Sequence, residues 1–369
     1  MGDLGLLFHP RGWMTSFTRK RSSDRTFIAI GPAAFSLMSA DTNRNSLSAP
    51  QHAALFAHEN VLPAFIAWRK QGQRAALVTI VGIEGAAPRP LGAQMAVTAE
   101  GQSVGYLSGG CLEAAVIEEA KITLRKGENR LVRYGKGSQY IDVKLPCGSG
   151  LDIYVDQAIS LEDLVDVERL IRNRRVLQME TDLDKGATTF ALRNMCNFLS
   201  ERNGMLFRRT WVPSLRLILI GSGPAVAAIA VLASAAGFQL DIATPSDATR
   251  LELRHLGFEA EVLTSNGLPA FPEIDPWTAA VLAFHEHDWE PPLLKWLLSA
   301  ESFYVGAVGS GTVRAARAQE LEELGIAADS VTRLRSPIGL IQGARSRLTL
   351  AVGVVAEIVQ EAKARGFVQ

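Results

Sequence analysis

From residue 53 onward the apolar positions recur at the intervals that specify buried secondary structure. Leu55, Phe56, Val61, Leu62, Phe65 and Ile66 follow helical spacing, which predicts a helix over 53–70. Ala75–Val81 is a continuous apolar run and reads as a buried strand. Gln94–Thr98 and Ser103–Tyr106 read as short strands about a turn at Glu100-Gly101. The pattern then predicts a helix at Leu112–Arg125, strands at Arg130–Tyr134 and Leu151–Val155, and a helix at Leu161–Asn173. A hairpin follows, Arg175–Thr181 with Thr188–Leu192 across Asp184-Lys185-Gly186. Between 194 and 213 the periodicity fails while Asn194, Asn197, Asn203, Gly204 and Pro213 accumulate, so a domain boundary is expected there.

Beyond that boundary, strands at Leu215–Ile220, Gln239–Ala243, Glu259–Thr264, Ala279–Phe284 and Tyr304–Val308 alternate with helices. The helices are an Ala-rich one after Gly223 and others at Pro292–Leu298, Val313–Leu324 and Leu348–Ala364. Such alternation predicts a parallel sheet with helices on both faces. The expected organisation is a domain over 51–205 and a second over 213–369. Residues 1–50 are rich in Ser, Arg, Asn and Pro, and their apolar patch Phe27–Met38 is interrupted by Gly31-Pro32. They are expected to be a disordered extension rather than a targeting segment.

Composition narrows the function classes. Lys plus Arg and Asp plus Glu both number 38, so no basic excess draws the chain to nucleic acid or to an anionic membrane. No apolar run is long enough to span a bilayer. The three cysteines, Cys111, Cys147 and Cys196, include no Cys-x-x-Cys pair, and so sparse a set points to a reducing cytoplasm.

The segment richest in chemistry is Gly105-Tyr-Leu-Ser-Gly-Gly-Cys-Leu-Glu113, where a strand enters two glycines and then a helix. Ser108, Gly109 and Gly110 lie where free helix-start N–H groups favour an anion. A thiol at Cys111 would ionise readily there and suit a soft metal or sulfur transfer. The other reading is a small buried cysteine in a tight turn, with Glu113 a carboxylate that complements the helix dipole. Cys147 and Gly148 sit in a second glycine-rich turn, Pro146-Cys-Gly-Ser-Gly150. Arg89, after Pro88, offers a planar fork for a phosphate or a pterin carbonyl, or is a surface arginine in a rigid turn.

In the second half, Leu215–Ile220 runs into Gly221-Ser-Gly223 as at the start of a dinucleotide-binding unit. The third fingerprint position is Val226, however, and the next strand ends Ala243-Thr-Pro245 without the acid that would hold a ribose. Gly221, Gly223, His285, Gly309 and Ser310 all fall at carboxyl ends of strands, where ligands of such sheets bind. His285 and His287 alternate, so on an extended segment they would face one way.

The loops Gly85-Ala-Ala-Pro-Arg-Pro-Leu-Gly92, Ser108-Gly-Gly-Cys-Leu-Glu113 and Cys147-Gly-Ser-Gly-Leu-Asp152, in this order, resemble the N-terminal domain of the XdhC/CoxI family. The resemblance continues through Phe284-His-Glu-His-Asp288, Tyr304-Val-Gly-Ala-Val-Gly-Ser310 and Arg335-Ser-Pro-Ile-Gly-Leu340. It departs at Ala86, Ser149 and Pro224, where relatives carry serine, glycine and often histidine. It covers roughly residues 53–369. It implies a mixed α/β N-terminal domain plus a C-terminal Rossmann-like domain with a parallel sheet. The implied function is that of a chaperone that binds molybdenum cofactor (molybdopterin), protects it, supports its sulfuration by a cysteine desulfurase and inserts it into a xanthine dehydrogenase-type molybdenum hydroxylase apo-enzyme. A homodimer is implied as well. On this expectation the cofactor-binding residues are Pro88, Arg89, Ser108, Gly109, Gly110, Cys111, Glu113, Cys147, Gly148, Gly221, Gly223, His285, Gly309 and Ser310. Cys111 is the metal ligand, and no residue is catalytic. The alternative is an NAD(P)-dependent oxidoreductase built on the second domain.

Overall fold

The computed structural model describes residues 60–110, 112–138, 148–193, 200–264, 267–285 and 287–368. All belong to the unit Ser46–Gln369. The expectation for 1–50 and the first turns of the helix expected from 53 lie outside these residues.

Helix α1 (Leu62–Lys70) buries Leu62, Phe65 and Ile66 and leads into β1 (Ala75–Glu84), which is apolar on both sides because both sides are covered. Ala76, Val78 and Ile80 face one core with Val116, Ala120 and Leu124. Ala75, Leu77 and Val81 face a second core with Phe65, Leu164 and Leu177. Around β1 the chain adds β2 (Gln94–Thr98), β3 (Ser103–Gly105), α2 (Glu113–Lys126), β4 (Arg130–Gly135) and β5 (Gly150–Asp156). The five strands form an antiparallel sheet in the order β3-β2-β1-β5-β4.

Next come α3 (Leu161–Arg172), β6 (Val176–Asp182), β7 (Ala187–Arg193), β8 (Ser200–Asn203) and β9 (Leu206–Trp211). The last four make an antiparallel sheet in the order β7-β6-β9-β8. The stretch 194–213, where periodicity fails and a domain boundary is expected, holds a hairpin in its described part. Asn203-Gly204, which leads into its turn, is a hairpin signal, and β9 pairs with β6 along Leu177–Asp182.

The second half runs β10 (Arg216–Gly221), α4 (Pro224–Ala235), β11 (Gln239–Thr244), α5 (Asp247–His255), β12 (Glu261–Val262) and β13 (Thr278–Ala283). It continues with α6 (Glu290–Leu298), β14 (Tyr304–Ala307), α7 (Gly311–Glu323), α8 (Ala328–Thr332), β15 (Leu334–Arg335) and α9 (Arg347–Ala364). The sheet is parallel throughout, in the order β12-β11-β10-β13-β14-β15. That is the doubly wound order of a Rossmann domain. Leu217 and Leu219 pack on one side with α4 and α9; Ile218 and Ile220 pack on the other with α6. Helix α5 was not expected from periodicity. It is started by Ser246, whose hydroxyl accepts from Thr249 N–H. Arg174 joins the halves: it pairs with Asp275 and donates to Ser214 O at 3.0 Å and Gln239 Oε1 at 2.7 Å.

Candidate functional site

The glycine turn before α2 is organised by one side chain. The Glu113 carboxylate accepts from the backbone N–H groups of Leu107 (3.0 Å), Ser108 (2.8 Å), Gly109 (3.2 Å), Gly110 (2.7 Å) and Leu112 (3.3 Å). It also accepts from the Ser108 hydroxyl at 2.7 Å, and that hydroxyl accepts from Leu112 N–H. Gly109 and Gly110 take positive φ angles of 77° and 122°, which let successive N–H groups converge. Burial pushes the Glu113 pKa up, but the backbone N–H of Ser108, its hydroxyl and the N–H of Leu107 outweigh this and hold it down to about 2. The anion that the turn gathers is the chain's own carboxylate. Sequence reasoning gave these N–H groups to a ligand and read Glu113 as a further cofactor-binding residue or as a carboxylate that complements the helix dipole. The spacing of Ser108 and Glu113 around two glycines was the signal for the closed loop.

The other two loops reach the same end of the antiparallel sheet. Arg89, in the β1–β2 loop beside the exposed Pro88, donates to the Tyr106 hydroxyl at 3.0 Å and lies 4.4 Å from that ring's centre. Tyr106 immediately precedes the Glu113-bound turn. At the loop's other end, a methyl group on Gly85 would lie 3.5 Å from Ser149 Cβ, so the segment after Gly148 packs there. Arg89, Ser108, Gly109, Gly110, Glu113 and Gly148 thus belong to converging loops. Cys111 and Cys147 lie outside the described residues, and so does the assignment of Cys111 as a metal ligand.

The residues expected in the Rossmann half divide into two places. Gly223 and His285 line a cavity of about 580 Å³ at the carboxyl ends of β10 and β13, together with Ser246, Thr249, Glu252 and Trp289. Gly223 N–H donates to Thr249 Oγ1 at 2.8 Å. Gly221 is fully buried, and a Cβ there would sit 2.2 Å from Ala283 O, so the close passage of β13 demands this glycine. Gly309 and Ser310 lie instead at the start of α7, where Ser310 caps Val313 N–H at 3.4 Å. Arg317 anchors that turn by donating to Val308 O at 2.6 Å while paired with the buried Glu290.

His287 belongs to the Arg317 network, its Nδ1 being 3.2 Å from both Arg317 Nη2 and Glu290 Oε1. The two histidines therefore do not act together, because His287–Trp289 coils into a 3₁₀ turn instead of extending. Asp247 is bound to Arg250 and Asp241 lies beside Arg216 at 3.7 Å; neither lines the cavity.

Sequence reasoning missed a second arginine. Arg209 on β9 donates to Gly92 O and stacks 5.1 Å from the centre of the Trp211 ring. With Arg89, Asn60, Trp211 and Phe367 it lines a cavity of about 500 Å³ where the first half meets the linker and the C-terminal tail. Its neighbour Arg208 points the other way, to Glu180 and Glu201. Alternation along a strand would have separated the two arginines, had the stretch been recognised as a strand.

These features define a class: an α/β protein whose antiparallel-sheet domain carries a glutamate-bound glycine turn, followed by a Rossmann domain. Residues 68–135 match the XdhC and CoxI family, and residues 217–358 match the XdhC Rossmann domain. The chain is 33% identical over 301 residues to the molybdenum cofactor insertion chaperone PaoD of Escherichia coli K12, covering 82% of this chain and 87% of that one. It is 26% identical over 339 residues to a probable xanthine dehydrogenase subunit of Bacillus subtilis 168, covering 79% and 94%. The crystal structure of a xanthine dehydrogenase from Bacillus halodurans shares the fold, with a TM-score of 0.65 at 21% identity over 82% of this chain and 96% of that one. The chain belongs to the XdhC and CoxI family.

Proposed function

We propose that this protein binds the molybdenum cofactor, shields it, supports its sulfuration by a cysteine desulfurase and inserts it into a xanthine dehydrogenase-type apo-hydroxylase. It acts as a maturation factor rather than a catalyst, as a homodimer in the cytoplasm. Once inserted, the cofactor supplies the molybdenum centre of the client. This chain's residues have to hold and release it. Similarity to a chaperone named for insertion of this cofactor supports the reading.

The observation that carries it is the preorganised turn on which the sequence sets Cys111. Gly110 on one side and Leu112 on the other both donate N–H groups to Glu113. The bonds hold the backbone of the two residues that flank Cys111 in sequence, and a held backbone suits a ligand that must approach in one orientation. Arg89, held over the Tyr106 ring, brings a planar guanidinium to this end of the sheet, a shape that suits a polar heterocycle. The site residues proposed to take part are Pro88, Arg89, Ser108, Gly109, Gly110, Cys111, Glu113, Cys147 and Gly148, with Cys111 toward the metal.

The test is molybdopterin retention by the full chain purified anaerobically. Wild type should carry roughly one equivalent and Cys111→Ala clearly less; absence of pterin from the wild type would remove the proposal.

A second reading, NAD(P) binding at Gly221, Gly223, His285, Gly309 and Ser310, is favoured by the cavity beside Gly223. Titration of NADH and NADPH fluorescence separates the two: micromolar affinity with turnover would put this reading first.

A further inference from the structure

A dinucleotide site on a Rossmann sheet has two grips: backbone N–H groups at the start of the first helix hold the diphosphate, and an acid holds a ribose. In the cavity beside Gly223 the first grip is closed. Ser222 N–H donates to Ala283 O at 3.0 Å, Gly223 N–H to Thr249 Oγ1 at 2.8 Å, and Val226 N–H to Gly223 O at 3.2 Å. Pro224, the first residue of α4, has no N–H to offer. The His285 ring lies over the turn: a methyl group on Gly223 would be 3.8 Å from its Cδ2 and 3.9 Å from its Nε2. Among the described residues no lysine or arginine lines the cavity. A diphosphate brought here would give up water and find no donor in exchange.

An acid, by contrast, is present. The end of β11 carries none, but Glu252 of α5 lines the cavity. Its carboxylate accepts from Arg347 Nη1 at 3.4 Å, which leaves most of its roughly four acceptor positions for hydroxyl groups. Trp289 stacks on Phe284 with the rings 7° from parallel and brings an aromatic surface to the same cavity. The volume of about 580 Å³ falls within the ~300–1,000 Å³ of small-molecule sites. We propose that this cavity binds a nucleoside without phosphate, its ribose hydroxyls on Glu252 and its base against Trp289. Such a ligand competes with NAD(P) for the same place. It leaves the molybdenum cofactor reading, which concerns the loops of the first half, untouched.

The experiment titrates the full chain by calorimetry with adenosine, guanosine, cytidine and uridine, each beside its 5′-monophosphate, and with NADH. All four are needed because stacking on an aromatic ring does not choose between bases. At least one nucleoside should bind, and its 5′-monophosphate should bind at least about tenfold more weakly, because the added charge meets no donor at the turn. Glu252→Gln should weaken the nucleoside at least about tenfold by losing charge-assisted bonds to the hydroxyls. Circular dichroism checks that the variant folds. The matching 2′,3′-dideoxynucleoside asks the same question of the wild type without any variant, and should also bind at least about tenfold more weakly. Failure of all four nucleosides to bind at millimolar concentration overturns the proposal. So does a monophosphate or NADH that binds as tightly as the best nucleoside, which would restore a dinucleotide site. Undiminished binding by both Glu252→Gln and the dideoxynucleoside overturns it as well.

Discussion

The chain makes the same local construction twice, a strand that enters glycines and then a helix, and fills it differently. Before α2, the N–H groups from Leu107 to Leu112 are gathered by Glu113. Before α4, Gly223 N–H is met by one neutral hydroxyl, that of Thr249, and the turn opens onto a cavity. The first turn is locked by a charge within its own loop. The second is lightly held by a side chain from another helix. Glycine spacing alone cannot separate the two cases; the residue that satisfies the N–H groups does. Under the proposed function, which sets the ligand beside this turn, the locked turn is where rigidity matters most.

The sharpest way to break this contrast is Glu113→Ala. It strands the buried N–H groups of Leu107, Ser108 and Leu112, and should cost about 3 kcal/mol of stability in urea unfolding. Retention of the molybdenum cofactor should fall with it, because the backbone on both sides of Cys111 loses its anchor. In the Rossmann turn the largest effect should come from packing rather than from hydrogen bonding. Gly221→Ala drives a methyl group to 2.2 Å from Ala283 O and should cost about 2 kcal/mol as β10 and β13 separate. Smaller again is Thr249→Val, a substitution at a buried position that removes the hydroxyl acceptor of the half-exposed Gly223 N–H. About 1 kcal/mol is expected, with cofactor retention unchanged. If Thr249→Val proves as damaging as Glu113→Ala, the two turns are equally locked and the contrast fails.

Most of the fold is legible where the apolar pattern is strong. The β10 run Leu217–Ile220 and the alternation of strands and helices after it identify the parallel sheet. The β8–β9 hairpin was illegible because its residues are mixed: Arg208 and Arg209 sit in a strand whose two sides face glutamates and a cavity. Helix α5 escaped because it is short and polar, and Ser246 with Thr249 was its only clear signal. At the candidate site the glycines and Glu113 were legible as residues but not as partners. Pairing depends on positive φ at Gly109 and Gly110, a conformation that glycine allows but does not dictate. Arg209 was hidden because its link to Arg89 is made only in three dimensions.

The gentlest probe of the locked turn is acid. Glu113 has a folded pKa of about 2, below the roughly 4.3 of an unfolded glutamate. A lowered carboxylate contributes stability that is fully present above the unfolded value and is lost as pH falls through the folded one. Wild type should therefore lose stability between about pH 4.5 and 2 beyond what its other groups lose, by an amount that partial exposure of Glu113 keeps modest. Asp156 works in the opposite direction: burial raises its pKa, so the folded state takes up that proton first and gains as pH falls. A bare acid titration mixes the two. The difference between wild type and Glu113→Gln at each pH removes Asp156 from the measurement. Glutamine cannot titrate, so the stability gap between the two proteins should be constant at neutral pH and narrow steadily below pH 4.5. A gap that stays constant down to pH 2 would mean that the carboxylate's charge contributes nothing to the turn.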